Sequence, residues 1–265
     1  MTQPLSSAEG RAAFDQLAAA EQPVLFFDVD GTLAPLVSRP ENARTPRRTR
    51  DLLRALRRTG AQVVLVTGRS ARDAHRVAGG EFDGILGNHG AELLQRNRLS
   101  RWTARRNSRL DFVTSVLEQE LERSWPGVQL ESKGHSIALH HRLPPVELGR
   151  LLRMVRGKML GNNLEALRGR RVIDLRSRGA DKGTAVIRWL ERTVRGSVPL
   201  SEVLYAGDDT TDEDAFRALG HRSVTVAVGQ RPRGARFRTP GPVALAKWLH
   251  RLERVRREIH EPAAD

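Results

Sequence analysis

Two carboxylates stand two residues apart directly after a short apolar run, within residues 24–33. Asp28 and Asp30 follow the run Val24–Phe27, and Gly31 breaks it. Such a run predicts a strand buried on both faces, with both carboxylates at its carboxyl end. Residues two apart on a strand share a face, and two close carboxylates resist joint ionisation unless a cation or a proton lies between them. The alternative is a strand that ends in a solvated turn.

Three further polar clusters stand where an apolar run ends or where a helix is expected to begin. They are Thr67-Gly68-Arg69, Asp181-Lys182-Gly183 and the acidic run 207–213, which includes Asp208, Asp209 and Asp212. Each cluster alone has a structural explanation, as a helix cap or as an acidic first turn favoured by the helix dipole. Because ligands bind at the carboxyl edge of parallel sheets, the four clusters in this order favour one catalytic site.

The elements that would position these clusters follow from the hydrophobic pattern. Strands are predicted at 24–27, 62–66, 82–86, 202–206 and 223–228. Helices are predicted at 7–20, 46–59, 71–78, 181–191, 211–219 and 242–259, and residues 230–242 are predicted as loop. Alternating strands and helices are typical of an α/β fold with a parallel sheet and right-handed crossovers.

Residues 96–178 have a different pattern, in which strands adjacent in sequence are joined by short turns. Strand pairs are predicted at 128–133 with 136–142 and at 162–167 with 171–176, beside helices at 107–123 and 145–159. Such pairs indicate an antiparallel sheet. We therefore predict an α/β core of residues 1–95 and 179–265, with a smaller α+β cap domain inserted at 96–178.

Composition excludes several classes of function. The chain has 265 residues and no cysteine, which excludes thiol redox catalysis, zinc–thiolate sites and disulfides. A net charge of +14 is typical of nucleic-acid binding, but the arginines are dispersed over most predicted helices and aromatic residues are few. Residues 1–21 lack the pattern of a secretory signal, and no apolar stretch is long enough to span a membrane. We expect a monomeric cytoplasmic protein without nucleic-acid or membrane partners.

In their order, the four clusters resemble the motifs of the haloacid dehalogenase-like phosphatase superfamily, and the match covers essentially the whole chain. The motifs are Asp28-Val29-Asp30-Gly31-Thr32, Thr67, Lys182 and Gly207-Asp208-Asp209-Thr210-Thr211-Asp212. Residues 65–69, 87–92, 131–142 and 207–214 resemble the trehalose-phosphatase family more narrowly. Asp174 is a departure, because relatives usually carry glutamate there. The resemblance implies a haloacid dehalogenase-like Rossmannoid core with an inserted cap.

The resemblance also implies a Mg²⁺-dependent phosphatase with an aspartyl-phosphate intermediate. Phosphate esters react slowly because an anion must be attacked, so positioning and charge neutralisation dominate their catalysis. Asp28 would be the nucleophile and Asp30 the acid and base. The Asp28 and Asp208 carboxylates and the Asp30 carbonyl would bind Mg²⁺. Thr67 and the Gly68 amide would bind phosphoryl oxygens, Lys182 would balance charge, and Asp209 and Asp212 would orient metal waters or Lys182.

Selection of the sugar must come from outside these motifs, because the core groups contact only the phosphate. Substrate contacts are predicted, beside Gly68, for Arg69, Asn88, His89, Glu131, Lys133, His135, Arg142 and Asp174. The expected substrate is trehalose 6-phosphate. The alternatives are a phosphatase for sucrose 6-phosphate or mannosyl-3-phosphoglycerate, a basic nucleic-acid-binding protein with a degenerate core, and a phosphosugar sensor or inactive partner in a trehalose-synthesising assembly.

Overall fold

The computed structural model describes residues 2–102, 108–132, 136–161, 164–169, 171–177, 181–193, 198–230 and 232–260. Two of the predicted substrate-contacting residues, Lys133 and His135, lie outside these ranges. The described residues form one nine-stranded sheet and one four-stranded sheet. Among the described helices, none is both long enough and apolar enough to cross a membrane.

The larger sheet is mostly parallel. In chain order its strands are β1 (Gln3–Pro4), β2 (Val24–Phe27), β3 (Gln62–Val66), β4 (Gly84–Gly87), β5 (Glu92–Gln95), β6 (Arg98–Arg101), β11 (Val203–Gly207), β12 (Val224–Val228) and β13 (Phe237–Thr239). Their spatial order is β1-β13-β12-β11-β2-β3-β4-β5-β6. All neighbours pair in parallel except β4 with β5 and β5 with β6, which are antiparallel. Strands β11, β2 and β3 therefore bring three of the polar clusters to one sheet edge.

Both faces of the larger sheet are covered, which explains why its central strands are apolar throughout. Leu25 and Phe27 of β2 pack into one hydrophobic layer, and Val24 and Phe26 pack into the opposite layer. The first layer is completed by helices α1 (Ala8–Ala19), α2 (Arg47–Arg58), α3 (Ala71–Ala78) and α8 (Pro242–His260). The second is completed by α6 (Lys182–Thr193) and α7 (Glu213–Leu219). A strand buried on both sides needs no polar alternation.

The smaller sheet is antiparallel and has helices on one face. Its strands are β7 (Gln129–Ser132), β8 (Ser136–His140), β9 (Leu164–Arg168) and β10 (Val172–Ser177), in the order β7-β8-β10-β9. Helices α4 (Ser108–Ser124) and α5 (Pro145–Met159) pack with it around a third hydrophobic cluster. Ile173 and Leu175 of β10 point into that cluster. Alternation along the strand therefore places Asp174 and Arg176 on the opposite face.

That opposite face of the smaller sheet contacts the larger unit. Asp174 lies near His89, and Arg176 donates a hydrogen bond to Asp214 of α7. The Thr210 hydroxyl donates to the Arg168 carbonyl at the end of β9. Asp174 and Arg176 are both buried although they stand on the polar face of the sheet. Residues from the predicted cap therefore lie directly against the edge that carries the polar clusters.

Four strands of the larger sheet, β1, β5, β6 and β13, were not expected from the sequence. The predicted loop 230–242 is wrong in part, because it contains β13, and β1 pairs with β13 at the sheet edge. Strands β5 and β6 form a hairpin whose turn residues Arg96 and Asn97 have positive φ. The larger sheet consequently continues to Arg101, past the boundary predicted at residue 95. Each of these strands is only 2 to 4 residues long, too short to show a hydrophobic pattern, and β1 and β6 form the two edges of the sheet.

Candidate active site

A buried lysine links three of the four motifs. Asp28 directly follows β2, and its backbone N–H donates to the Ala206 carbonyl of β11. Lys182, the first residue of α6, donates to Asp28 Oδ1 at 2.8 Å and to Asp212 Oδ1 at 2.7 Å. Its side chain is only 2% exposed. The structure therefore brings together carboxylates and a cation that are far apart along the chain.

The lysine lies beside an acidic cluster. Carboxylate oxygens of Asp28, Asp208 and Asp212 lie within 4.8 Å of one another. Burial raises the pKa of Asp28 to about 7; Asp212 and Asp30 add to this rise, whereas Lys182 opposes it. Burial and the neighbouring carboxylates of Asp28, Asp212 and Asp209 raise the pKa of Asp208 to about 9. Lys182 alone does not neutralise this cluster, which is the electrostatic signature of a site for a hard cation.

Glycines allow the acidic loop to approach β2 this closely. Gly31 has φ +81°, and a Cβ at this position would collide with the Asp208 carboxylate. A Cβ at Gly207 would likewise collide with the Asp212 side chain. Gly31 is thus required where the two loops meet, and Gly207 is required where the acidic loop folds back on itself, in addition to any turn preference.

Asp212 serves mainly to hold other groups in place. Its Oδ1 accepts hydrogen bonds from Lys182 and from the Tyr205 hydroxyl at 2.7 Å, and its Oδ2 accepts from the Asp209 backbone N–H at 2.9 Å. Asp209 caps the same short helical turn in return. Both oxygens of Asp212 are therefore engaged, which leaves Asp28 and Asp208 as the carboxylates better placed to bind a metal ion.

Asp30 and Arg69 form a bidentate pair. Arg69 Nε donates to Asp30 Oδ2 at 2.6 Å and Nη2 donates to Oδ1 at 2.7 Å. The guanidinium also donates to Asp73 and to the Pro40 carbonyl. Burial alone would lower the pKa of Arg69, but its bonds and charge interactions with Asp30 and Asp73 raise it above its ordinary value. Arg69 is predicted to contact substrate. In this structure it holds Asp30, the second carboxylate of the first motif.

Thr67 and Gly68 follow β3 at the same edge. Thr67 is buried, and its Oγ1 accepts a hydrogen bond from the Arg69 backbone N–H at 3.1 Å. A Cβ at Gly68 would lie 2.7 Å from the His89 ring. Glycine at this position therefore lets His89 pack against the backbone that follows Thr67.

Asn88 and His89 combine backbone strain with unsatisfied polar groups. Their φ angles are +49° and +57°, in the left-handed region that side chains other than glycine seldom adopt. Both side chains are buried, and their nitrogen and oxygen atoms have no hydrogen-bond partner among the described residues. Backbone bonds from Asn88 to the Arg69 carbonyl and from His89 to the Thr67 carbonyl hold the turn in place. Strain and buried orphan groups together are typical of a ligand-binding site.

The described residues of the predicted cap that were expected to contact substrate differ in their partners and exposure. Asp174 Oδ1 lies 3.9 Å from His89 Nε2, which is too long for a hydrogen bond. Burial lowers the pKa of His89, and Asp174 partly opposes that shift. Glu131 lies on the same face of the sheet and pairs with His140 Nε2 at 2.9 Å. Arg142 is exposed.

Several residues of this region were not anticipated from the sequence. They are Tyr205, which bonds Asp212; Glu92, whose Oε1 accepts from the Ala71 backbone N–H at the start of α3; and the pair Arg176 and Asp214. The sequence contains a signal for Tyr205, because it is the single tyrosine of the chain and stands two residues before Gly207. The others depend on contacts between distant segments.

Comparison with known proteins places this geometry in a family. The family model described as trehalose-phosphatase matches residues 26–240. A trehalose-phosphate phosphatase of Mycobacterium marinum is 33% identical over 248 residues, which cover 87% of this chain and 61% of that relative. A trehalose-phosphate phosphatase of Mycobacterium tuberculosis is 32% identical over 255 residues, covering 90% of this chain and 63% of the relative. The chain thus spans only about 61–63% of the length of these relatives.

A solved structure agrees in fold. The C-terminal domain of the C. albicans trehalose-6-phosphate phosphatase superposes with a TM-score of 0.79 at 21% identity, covering 96% of this chain and 98% of that chain. A haloacid dehalogenase-like hydrolase of B. subtilis superposes with a TM-score of 0.65 at 18% identity, covering 86% of this chain and 98% of that chain. The parallel sheet with its inserted antiparallel unit accordingly has the haloacid dehalogenase-like fold. Since the family model extends from the strand before Asp28 to the strand that ends at Thr239, the chain belongs to the trehalose-phosphatase family.

Proposed function

We propose that this protein is a Mg²⁺-dependent phosphatase that hydrolyses trehalose 6-phosphate to trehalose and phosphate in trehalose biosynthesis. The observation that carries the phosphatase activity is the buried contact of Lys182 with Asp28 beside Asp208. It combines a nucleophile, a countercharge and an oxygen site for a cation. Family membership and the activity for which the relatives are named support the choice of substrate.

The donor set fits Mg²⁺. The ligands would be the Asp28 and Asp208 carboxylates and the Asp30 backbone carbonyl, all of them oxygens of the kind that a hard cation prefers. Asp212 would hold Lys182 in place, and Asp209 would hold Asp212. When bound, Mg²⁺ supplies positive charge at the phosphoryl oxygens and allows the crowded carboxylates to ionise together.

In the first step, an Asp28 carboxylate oxygen attacks phosphorus and the bond between phosphorus and the sugar oxygen breaks. Asp30 gives a proton to that leaving oxygen, which yields free sugar and an aspartyl phosphate. In the second step, Asp30 takes a proton from a water molecule that attacks phosphorus. The bond to Asp28 then breaks, phosphate leaves, and both carboxyl groups return to their starting protonation.

Proton delivery involves Arg69, because it holds both oxygens of Asp30. At least one oxygen must be released before Asp30 carries a proton to the sugar. Asp73 and the Pro40 carbonyl remain as partners of the guanidinium during that exchange. The released Nη2 group can then donate to the substrate, which reconciles the observed pairing with the predicted substrate contact.

Substrate selection would lie between the two sheets. Thr67 and Gly68 would bind the phosphoryl group, and Asn88 and His89 would supply buried polar groups for sugar hydroxyls. Residues 96–178 would act as the cap over a core of residues 1–95 and 179–265. The cap would contribute Glu131, Lys133, His135, Arg142 and Asp174. A site with fixed buried donors discriminates strongly against sugars that leave them unpaired.

The proposal is tested by phosphate release from trehalose 6-phosphate, sucrose 6-phosphate and mannosyl-3-phosphoglycerate, each with and without Mg²⁺. We expect turnover that requires Mg²⁺ and a clear preference for trehalose 6-phosphate. Comparable turnover of all three esters would contradict the substrate assignment. Full activity after complete removal of divalent metal would contradict the proposed cofactor.

A further inference from the structure

Arg176 is a buried cation that joins the smaller sheet to helix α7 of the larger unit. It stands on β10, two residues after Asp174 and on the same face, and its side chain is 4% exposed. Its Nε donates to Glu165 Oε1 of the neighbouring strand β9 at 2.6 Å, and its Nη2 donates to Asp214 Oδ2 of α7 at 2.7 Å. Glu165 orients the guanidinium within the smaller sheet, whereas Asp214 connects it to the larger unit.

Asp214 is closely tied to the catalytic motifs. It lies in the first turn of α7, directly after the acidic loop that contains Asp208 and Asp212. Its backbone carbonyl lies so close to Gly183 that a Cβ there would collide with it. Gly183 in turn follows Lys182 at the start of α6. A single side chain therefore connects β10 to a helix that contacts two of the four motifs.

We infer that Arg176 is a positioning residue for substrate selection, which pairs with Asp214 to dock the Asp174 face of β10 against His89. This inference rests on the proposed sugar-phosphatase function for its consequence, although the docking itself does not. Nη1 of Arg176 is buried without a hydrogen-bond partner among the described residues, so Glu165 and Asp214 alone set its orientation.

The energetics favour a role in docking. Burial alone would lower the pKa of Arg176, but its hydrogen bonds and charge interactions with Asp214 and Glu165 raise it above its ordinary value. Breaking a buried ion pair by removing one partner is costly because the other charge is left without compensation. Separation of the sheets relieves that cost by admitting water. Loss of Asp214 should therefore shift the smaller sheet away from the motifs.

Substrates of different size should report this shift. A sugar phosphate would contact both sheets, whereas p-nitrophenyl phosphate would contact only the groups around Asp28. We expect Asp214→Asn and Arg176→Gln each to raise KM for trehalose 6-phosphate about tenfold or more. The kcat and KM for p-nitrophenyl phosphate should change by less than about twofold. Arg176→Lys keeps a positive charge but loses the planar guanidinium that donates to Glu165 and Asp214 at once. Its KM for trehalose 6-phosphate should lie between those of these variants and the parent.

Arg217 provides a matched control. It pairs with the same Asp214 carboxylate at 3.2 Å through Oδ1, but its side chain is 76% exposed and it lies on α7 itself. Arg217→Gln should leave the kinetics for both substrates unchanged. Equal losses on both substrates in Asp214→Asn, or an unchanged KM for trehalose 6-phosphate, would overturn the inference.

A distance measurement separates this inference from the proposed function. Because the chain has no cysteine, Val146→Cys on α5 and Val243→Cys on α8 give two unique exposed sites for spin labels. Asp214→Asn should lengthen or broaden the distance distribution between the labels, and Arg217→Gln should not. An unchanged distribution in Asp214→Asn would refute docking. An altered distribution in a protein that does not hydrolyse trehalose 6-phosphate would refute only the proposed substrate.

Discussion

The metal-free protein should become less stable as the pH rises above neutrality. Asp28 and Asp208 have pKa values of about 7 and about 9, compared with 3.8 for an unperturbed aspartate. The folded protein therefore binds protons at these groups more tightly than the unfolded chain does. Stability from a raised pKa is present at low pH and is lost as the pH rises through the folded-state value.

Between about pH 7.5 and about pH 8.5, the pH dependence of the free energy of unfolding is expected to come mainly from Asp208. Burial lowers the pKa values of His89 and His141, so their stabilising effect increases with pH but is complete once the unfolded histidines are neutral. Asp28 has lost most of its proton by then. Asp208 still holds a proton that the unfolded chain lacks. Each unit of rising pH therefore lowers the free energy of unfolding by up to about 1.4 kcal/mol. We expect the free energy of unfolding to fall by about 1 kcal/mol across this range.

The assay is urea unfolding at both pH values in a chelator, repeated with saturating Mg²⁺. Asp208→Asn should abolish the dependence, because an amide at that position does not titrate. Mg²⁺ binds the ionised carboxylates, so saturating metal should remove or reverse the slope. A metal-free parent that is equally stable at both pH values, or an equal slope in Asp208→Asn, would refute the proposed electrostatics of the cluster.

Three further predictions concern separate parts of the molecule. Asp28→Asn should lower kcat for trehalose 6-phosphate at least about 10³-fold, because the nucleophile is lost; substantial residual turnover in a phosphate-release assay would contradict that role. Glu131→Ala or Lys133→Ala should reduce the ratio of kcat/KM for trehalose 6-phosphate to that for sucrose 6-phosphate about 10- to 100-fold, and an unchanged ratio would contradict a part in selection. Arg256→Met should destabilise the protein by about 3–5 kcal/mol in urea unfolding, because this fully buried guanidinium donates hydrogen bonds to the Thr59 hydroxyl and to backbone carbonyls in the last turn of α1, directly after α1 and directly after α2. A loss below about 1 kcal/mol would contradict that assignment.

Sequence reasoning was most successful where local pattern and burial agree. The strand Gln62–Val66 and the helices Ala71–Ala78 and Pro145–Met159 were predicted with the bounds that the structure has. Their apolar spacing matches the face that they bury, so no distant information is needed. The edge strand β1 and its neighbour β13 lack such a pattern, because their pairing depends on each other and on β12.

In the candidate site, too, some contacts follow from local sequence pattern and others do not. Asp28, Lys182 and Asp208 could be placed together from the sequence, because each follows a central strand or begins a helix at one sheet edge. The pairing of Arg69 with Asp30 could not, since it depends on the path of two loops 39 residues apart. The left-handed conformation of Asn88 likewise depends on backbone bonds to the segment after β3.

The sequence by itself therefore determined the α/β class, the inserted antiparallel unit and the set of groups available for phosphoryl chemistry. Those features follow from the periodicity of apolar residues and from the rule that parallel strands share a carboxyl edge. Only the tertiary structure decided which charges are buried together and which partner each one has. Pairings such as Lys182 with Asp28 and Arg176 with Asp214 depend on desolvation and on distances between remote segments, neither of which local sequence pattern encodes.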